Sequence, residues 1–191
     1  MAEFILSARS AFGGAPARVE APGVTFDEAG PRGLVHLAAR RGLGAALEAE
    51  IAGLLPLPGA GRSAEADGFC AVALAPGQWL ITGPQEGLET HIAMLAASGA
   101  VTDLSDAYVS FRLEGPGARA VLARLSSLDF EETAFPVGAA ARTIMAHIGV
   151  IIRRLPDADG PAYALETARS TARSFAHDVA QAIRAMAASG R

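Results

Sequence analysis

Apolar positions along this chain fall into short runs punctuated by Gly and Pro, and between them lie stretches of helical spacing. Leu34-Val35-His36-Leu37-Ala38 reads as a strand. A helix follows from about Gly44 to Leu55, with Leu47, Ile51 and Leu54 on one face. Pro56 to Gly68 carries no period and reads as a loop. Phe69 to Leu74 and Gln78 to Thr82 read as two strands joined by Ala75-Pro76-Gly77, with a helix from about Gln85 to Ala97 after them. The order to this point is β-α-β-β-α.

That order then repeats. Tyr108 to Leu113 reads as a strand and Pro116 to Leu125 as a helix, with strands near Thr143 to Arg154 and Ala162 to Thr167 and a last helix from Ser170. In this helix Phe175, Val179, Ile183 and Met186 recur at helical spacing, while Arg173, Asp178, Gln181 and Arg184 take the other face. Ser170 stands where an N-cap belongs. Both halves lead from strand to helix through paired glycines, Gly42-Leu43-Gly44 and Gly115-Pro116-Gly117, and both open the later strand with an aromatic, Trp79 or Tyr163. The pattern predicts a single α+β domain over 33–191, built from pseudo-duplicated β-α-β-β-α halves at about 33–100 and 101–191. Residues 1–32 are rich in Gly, Pro and Ala without a period, which predicts an extended N-terminal arm placed to lie along a partner.

Composition narrows the classes. A chain of 191 residues can bury a core without disulfides or metal. Its apolar share of 51%, with 21 Gly besides, is above the usual range for a free domain and is mild evidence for a covering partner. The net charge is −4 and the arginines form no dense stripe, which argues against nucleic acid. All 16 basic residues are Arg, so neither a lysine Schiff base nor a Walker-type phosphate loop is available. Cys70 is the one cysteine, set among Phe69, Ala71 and Val72, and reads as a small buried hydrophobe. Glu3 sits where a signal peptide wants positive charge, and Pro76-Gly77 interrupts the longest uncharged stretch, Gly68 to Gln85. A soluble, cytoplasmic protein without a membrane span is expected.

Each candidate for chemistry has a structural alternative. Gly115-Pro116-Gly117-Ala118-Arg119-Ala120 has the outline of a dinucleotide-binding turn, but Ser126-Ser127-Leu128-Asp129-Phe130 reads as a loop where such a turn requires a second strand ending in an acid; a tight turn with Pro opening a helix is the favoured reading. Asp103-Leu104-Ser105-Asp106 offers two carboxylates and a hydroxyl and reads as an Asx-type turn. His36, His91, His147 and His177 form no metal-binding spacing. Ser174, His177 and Asp178 share one helix and cannot adopt triad geometry. Arg112 and Arg119 are suited to a carboxylate, or to ion pairs within the protein. No catalytic, cofactor-binding or metal-binding residue is assigned to this chain.

Four segments, in order and spacing, resemble the gamma subunit of heterotetrameric sarcosine oxidase. They are Leu74-Ala75-Pro76-Gly77-Gln78-Trp79-Leu80; Asp103 to Asp106 running into Phe111 to Ala118; Phe135-Pro136-Val137-Gly138 leading to Arg142-Thr143; and Arg169-Ser170-Thr171-Ala172. In the last, Thr171 stands where the family has an aromatic, and Phe175 one turn later is placed to fill that space. The resemblance spans roughly Gly33 to Ala188.

What the resemblance implies is a fold related to the folate-binding domain of glycine-cleavage aminomethyltransferases. It also implies a non-catalytic role beside alpha, beta and delta subunits. The partners of such a complex carry FAD, FMN, NAD, zinc and tetrahydrofolate; the complex oxidises the N-methyl group of sarcosine, giving glycine, hydrogen peroxide and a one-carbon unit for tetrahydrofolate. Trp79 and the N-terminal arm are the expected partner contacts. Two alternatives stay open: a stand-alone folate-binding, aminomethyltransferase-like protein in which Asp103 or Asp106 holds the pterin, and a complex acting on another N-methyl amino acid.

Overall fold

The computed structural model describes residues 9–30, 32–53, 55–86, 88, 90 and 97–189. In chain order the elements are β1 (Arg18–Ala21), β2 (Val24–Glu28), β3 (Gly33–Ala39), α1 (Gly44–Ile51), β4 (Ser63–Ala66), β5 (Phe69–Ala75) and β6 (Gln78–Gly83). They continue with β7 (Gly99–Asp103), β8 (Tyr108–Glu114), α2 (Ala118–Leu125), β9 (Ala140–Met145), β10 (Ile148–Leu155), β11 (Ala162–Ala168) and α3 (Ala172–Ser189).

Two antiparallel sheets form, one of six strands in the order β1-β2-β8-β11-β10-β9 and one of five in the order β4-β5-β6-β3-β7. The strands exchange across the halves: β2 precedes β3 in sequence yet pairs with β8, and β7 precedes β8 yet pairs with β3. This exchange ties the sheets into one body.

Three apolar layers follow from strand alternation. The outer face of the six-stranded sheet carries Phe26, Phe111, Val150 and Ile152, which pack with α2 and α3. Here the rings of Phe26 and Phe111 stack at 5.0 Å, and Phe175 of α3 approaches Phe111 at 5.7 Å. The outer face of the five-stranded sheet sends Val35, Leu37, Trp79 and Ile81 onto Leu47 and Ile51 of α1. The inner faces meet through Leu34, Cys70, Val72 and Leu80 on one side and Ala140 and Ile151 on the other. Central strands covered on both faces are apolar at successive positions, which is why they appear in the sequence as continuous runs.

Several expectations are corrected. The segment expected as an extended arm contains β1 and β2, joined at Gly23 (φ 78°), with Phe26 opposite Leu113 and Val24 and Phe26 buried. Two strands of four and five residues are too short to register against the surrounding Gly and Pro. The expected loop Pro56–Gly68 contains β4, an edge strand turned back onto β5 through Asp67 and Gly68, both at positive φ. β7 was not expected at all. The single strand expected near Thr143 to Arg154 is the β9–β10 hairpin, whose turn residues Ala146 and His147 adopt φ 46° and 69° without the glycine that usually marks such a turn.

Helix ends also move. In α3 the first helical bond runs from the Phe175 N–H to the Thr171 carbonyl at 2.9 Å, so the cap position falls to Thr171 rather than Ser170. Gln85, Glu86, Leu88 and Thr90 are helical as expected and Ala97 lies in a turn, while 87, 89 and 91–96, His91 included, lie outside the described residues, as does Leu54. Trp79 is not a surface contact: it is 4% exposed in the α1 core and donates from Nε1 to the Pro58 carbonyl at 2.9 Å. Among the described residues no helix is long and apolar enough to cross a membrane.

Candidate functional site

The glycine turn before α2 is shaped by packing. Gly115 sits at φ 113°, and a Cβ there would approach the Gly23 carbonyl oxygen to 2.5 Å. The Gly117 N–H donates to that same oxygen at 2.9 Å, and a Cβ on Gly117 would meet Met186 of α3 at 2.8 Å. Both glycines let the β1–β2 turn and α3 approach the chain, and the N–H that a phosphate would need is already used.

The Asp103–Asp106 segment is an Asx turn at one point and an open acid at another. Asp103 Oδ1 accepts from the Ser105 N–H at 2.9 Å and its hydroxyl at 2.6 Å. The Leu34 N–H donates to Ser105 Oγ at 3.0 Å, which pins the turn to the start of β3. Asp106 makes no such bond and faces a cavity.

The remaining sequence candidates are dispersed. Ser174 and His177 are exposed on α3, where His177 meets Gln181. His36 meets Gln78, and His147 is exposed in its turn. Arg112 pairs with Glu114 at 2.7 Å and Arg119 with Glu132 at 2.5 Å, on different elements, so the structure does not bring the two arginines together on one anion. Cys70 is buried, and burial pushes its thiol up to about 11, far from a reactive thiolate at neutral pH. Among the described residues no group of three or more His, Cys, Asp or Glu is placed to hold a metal ion.

The structure adds charges that no motif flagged. Glu166 of β11 is 2% exposed on the face between the sheets. Burial raises its carboxyl to about 7, against the opposing pull of Arg153 and Arg32. Arg153 of β10, also buried, pairs with Glu65 of β4. Its register partner is Ala164, two residues from Glu166, so the strand pairing itself sets the cation and the acid on one face. The available signal was a lone Glu and an Arg inside apolar strands.

Arg32, just ahead of β3, lines two cavities. One, of about 580 Å³, opens beside Arg112, Arg153 and Cys70. The other, of about 380 Å³, lies between Asp106, Tyr108, Ser110 and the segment 9–17. That segment is a strap. Glu28 accepts from the Ser10 hydroxyl at 2.6 Å, the Ala17 N–H at 3.1 Å and the Ala11 N–H at 3.3 Å. Arg169 donates to the Arg9 carbonyl and Arg173 to the Ala11 carbonyl, fastening it further.

No family model matches the sequence, and no curated protein matches it significantly. Solved structures do. A chain of the heterotetrameric sarcosine oxidase from Corynebacterium sp. U-96 aligns with a TM-score of 0.75 and 26% identity, over 86% of this chain and 85% of that one. Glycine cleavage system aminomethyltransferase T from Bartonella henselae aligns with a TM-score of 0.55 and 16% identity, over 78% of this chain and 43% of that one. The second likeness concerns the fold alone. In sequence and fold together, the chain is similar to a subunit of heterotetrameric sarcosine oxidase.

Proposed function

We propose that this chain is the gamma subunit of a heterotetrameric sarcosine oxidase, a non-catalytic component packed against alpha, beta and delta subunits in the cytoplasm. The observation that carries the reading is the near-equal coverage of both chains at 26% identity, which makes the matched chain about as long as this one and so supports a small subunit. The engagement of the candidate groups supports a non-catalytic role: Asp103 is spent on its turn, Arg112 and Arg119 on ion pairs, and Cys70 on the core. The flavins, NAD, zinc and tetrahydrofolate are then the business of the partners. Descent from duplicated halves belongs to the same reading and is supported by the matching strand orders β4-β5-β6-β3-β7 and β9-β10-β11-β8-β2.

Co-expression tests this. With alpha, beta and delta subunits, the chain co-purifies as a stoichiometric complex that oxidises sarcosine, and its omission lowers assembly or turnover. Normal assembly and turnover without it would defeat the proposal.

The stand-alone aminomethyltransferase-like reading has one observation in its favour, the open carboxylate of Asp106 in a strap-covered cavity. The chain spans less than half of the aminomethyltransferase it matches. Saturable binding of tetrahydrofolate by the isolated chain, lost in Asp106→Asn, would favour this second reading.

A further inference from the structure

The strap-covered cavity keeps two opposite charges apart on adjoining walls. Leu104 and Ser105 hydrogen-bond Leu34, at 2.8 Å from the Leu104 N–H to the Leu34 carbonyl, so Asp106 and Arg32 are held at the same end of β3. Yet among the described residues neither forms an ion pair within 4 Å. Of the other charged residues lining the cavity, Glu28 is committed to the strap and Arg169 donates to the Arg9 carbonyl, while the Arg9 side chain is exposed. Ser110, 9% exposed, also lines the cavity. Tyr108, Leu34, Pro16 and Val109 give the wall its larger apolar surfaces.

We infer that this cavity binds a small zwitterion of the amino-acid type, its carboxylate on Arg32, its protonated amine on Asp106 and its apolar part against Tyr108 and Leu34. A guanidinium matches a carboxylate in a bidentate fork, and a carboxylate accepts from an ammonium. A plain anion would leave Asp106 repelling it, and a plain cation would meet Arg32. The volume of about 380 Å³ lies at the small end of ligand sites. The inference concerns this chain alone and does not require the subunit assignment.

The test uses the isolated full-length chain and calorimetric titration with L-proline and L-phenylalanine. Cyclopentanecarboxylate and pyrrolidine each present half of proline's charge pattern. At least one amino acid should bind saturably, and each half-ligand should bind at least about tenfold more weakly than proline. Arg32→Gln and Asp106→Asn should each weaken amino-acid binding about tenfold or more at an unchanged melting temperature. Failure of both amino acids to bind at millimolar concentration, half-ligands as tight as proline, or undiminished binding by well-folded Arg32→Gln and Asp106→Asn would each overturn it. None of these outcomes bears on assembly with other subunits.

Discussion

Glu166→Gln should change the pH dependence of stability by a calculable amount. Glu166 lies fully enclosed between the sheets, with Oε2 unpartnered and a carboxyl raised from 4.5 to about 7. The folded chain therefore holds a proton on this group that the unfolded chain releases between pH 4.5 and 7. Folding stability from this group is fully present below pH 4.5 and is lost as pH rises through 7, at about 1.4 kcal/mol per pH unit within the window. From pH 5 to pH 8 the wild-type chain should lose about 2 to 3 kcal/mol relative to Glu166→Gln, whose amide does not titrate. Urea denaturation of both proteins across that range reads the difference directly, since every other titrating group is common to both. Parallel curves would show that Glu166 is solvated or fully paired, and would remove the argument for a protonated acid between the sheets.

Three further outcomes follow from the packing. Phe26→Ala should cost about 3 to 5 kcal/mol in chemical denaturation, because the ring is 0% exposed and stacks on Phe111; a loss under about 1 kcal/mol would mean that β2 is not part of the core. Gly115→Ala should lower the melting temperature through both its φ of 113° and the 2.5 Å approach of its Cβ to the Gly23 carbonyl, by more than about 2 kcal/mol in stability, and an unchanged melting temperature would rule out that turn. Cys70, raised to about 11 by burial, should resist a thiol-specific disulfide reagent at pH 8 in the native chain and react at once in denaturant; rapid native labelling would place it at the surface.

The sequence was informative where local period and burial coincide. Phe175, Val179 and Ile183 repeat every four or so residues on a helix with one buried stripe, so α3 is evident from the chain alone. β5 and β6 are evident because covered strands are apolar at successive positions and Pro76-Gly77 separates them. The absence of lysine and the spent cysteine also followed from composition, and the four family-like segments pointed to heterotetrameric sarcosine oxidase, a chain of which the structure resembles at 26% identity.

What the tertiary structure alone decided is non-local. Nothing in Val24-Thr25-Phe26-Asp27-Glu28 says that its partner strand begins eighty residues onward at Tyr108, nor that β7 returns to β3; pairing registers depend on which edges meet, and local sequence does not encode that. The same holds for charge. Asp103 and Asp106 look alike in the sequence, yet one closes its own turn and the other lines a cavity that Arg32 also lines, because Leu34 anchors Ser105 between them. Glu166 and Arg153 became neighbours only when β10 and β11 paired, and burial then raised the acid to about 7. A period fixes which face of a segment is apolar; the field and the cavity at a residue are set by strands that come from elsewhere in the chain.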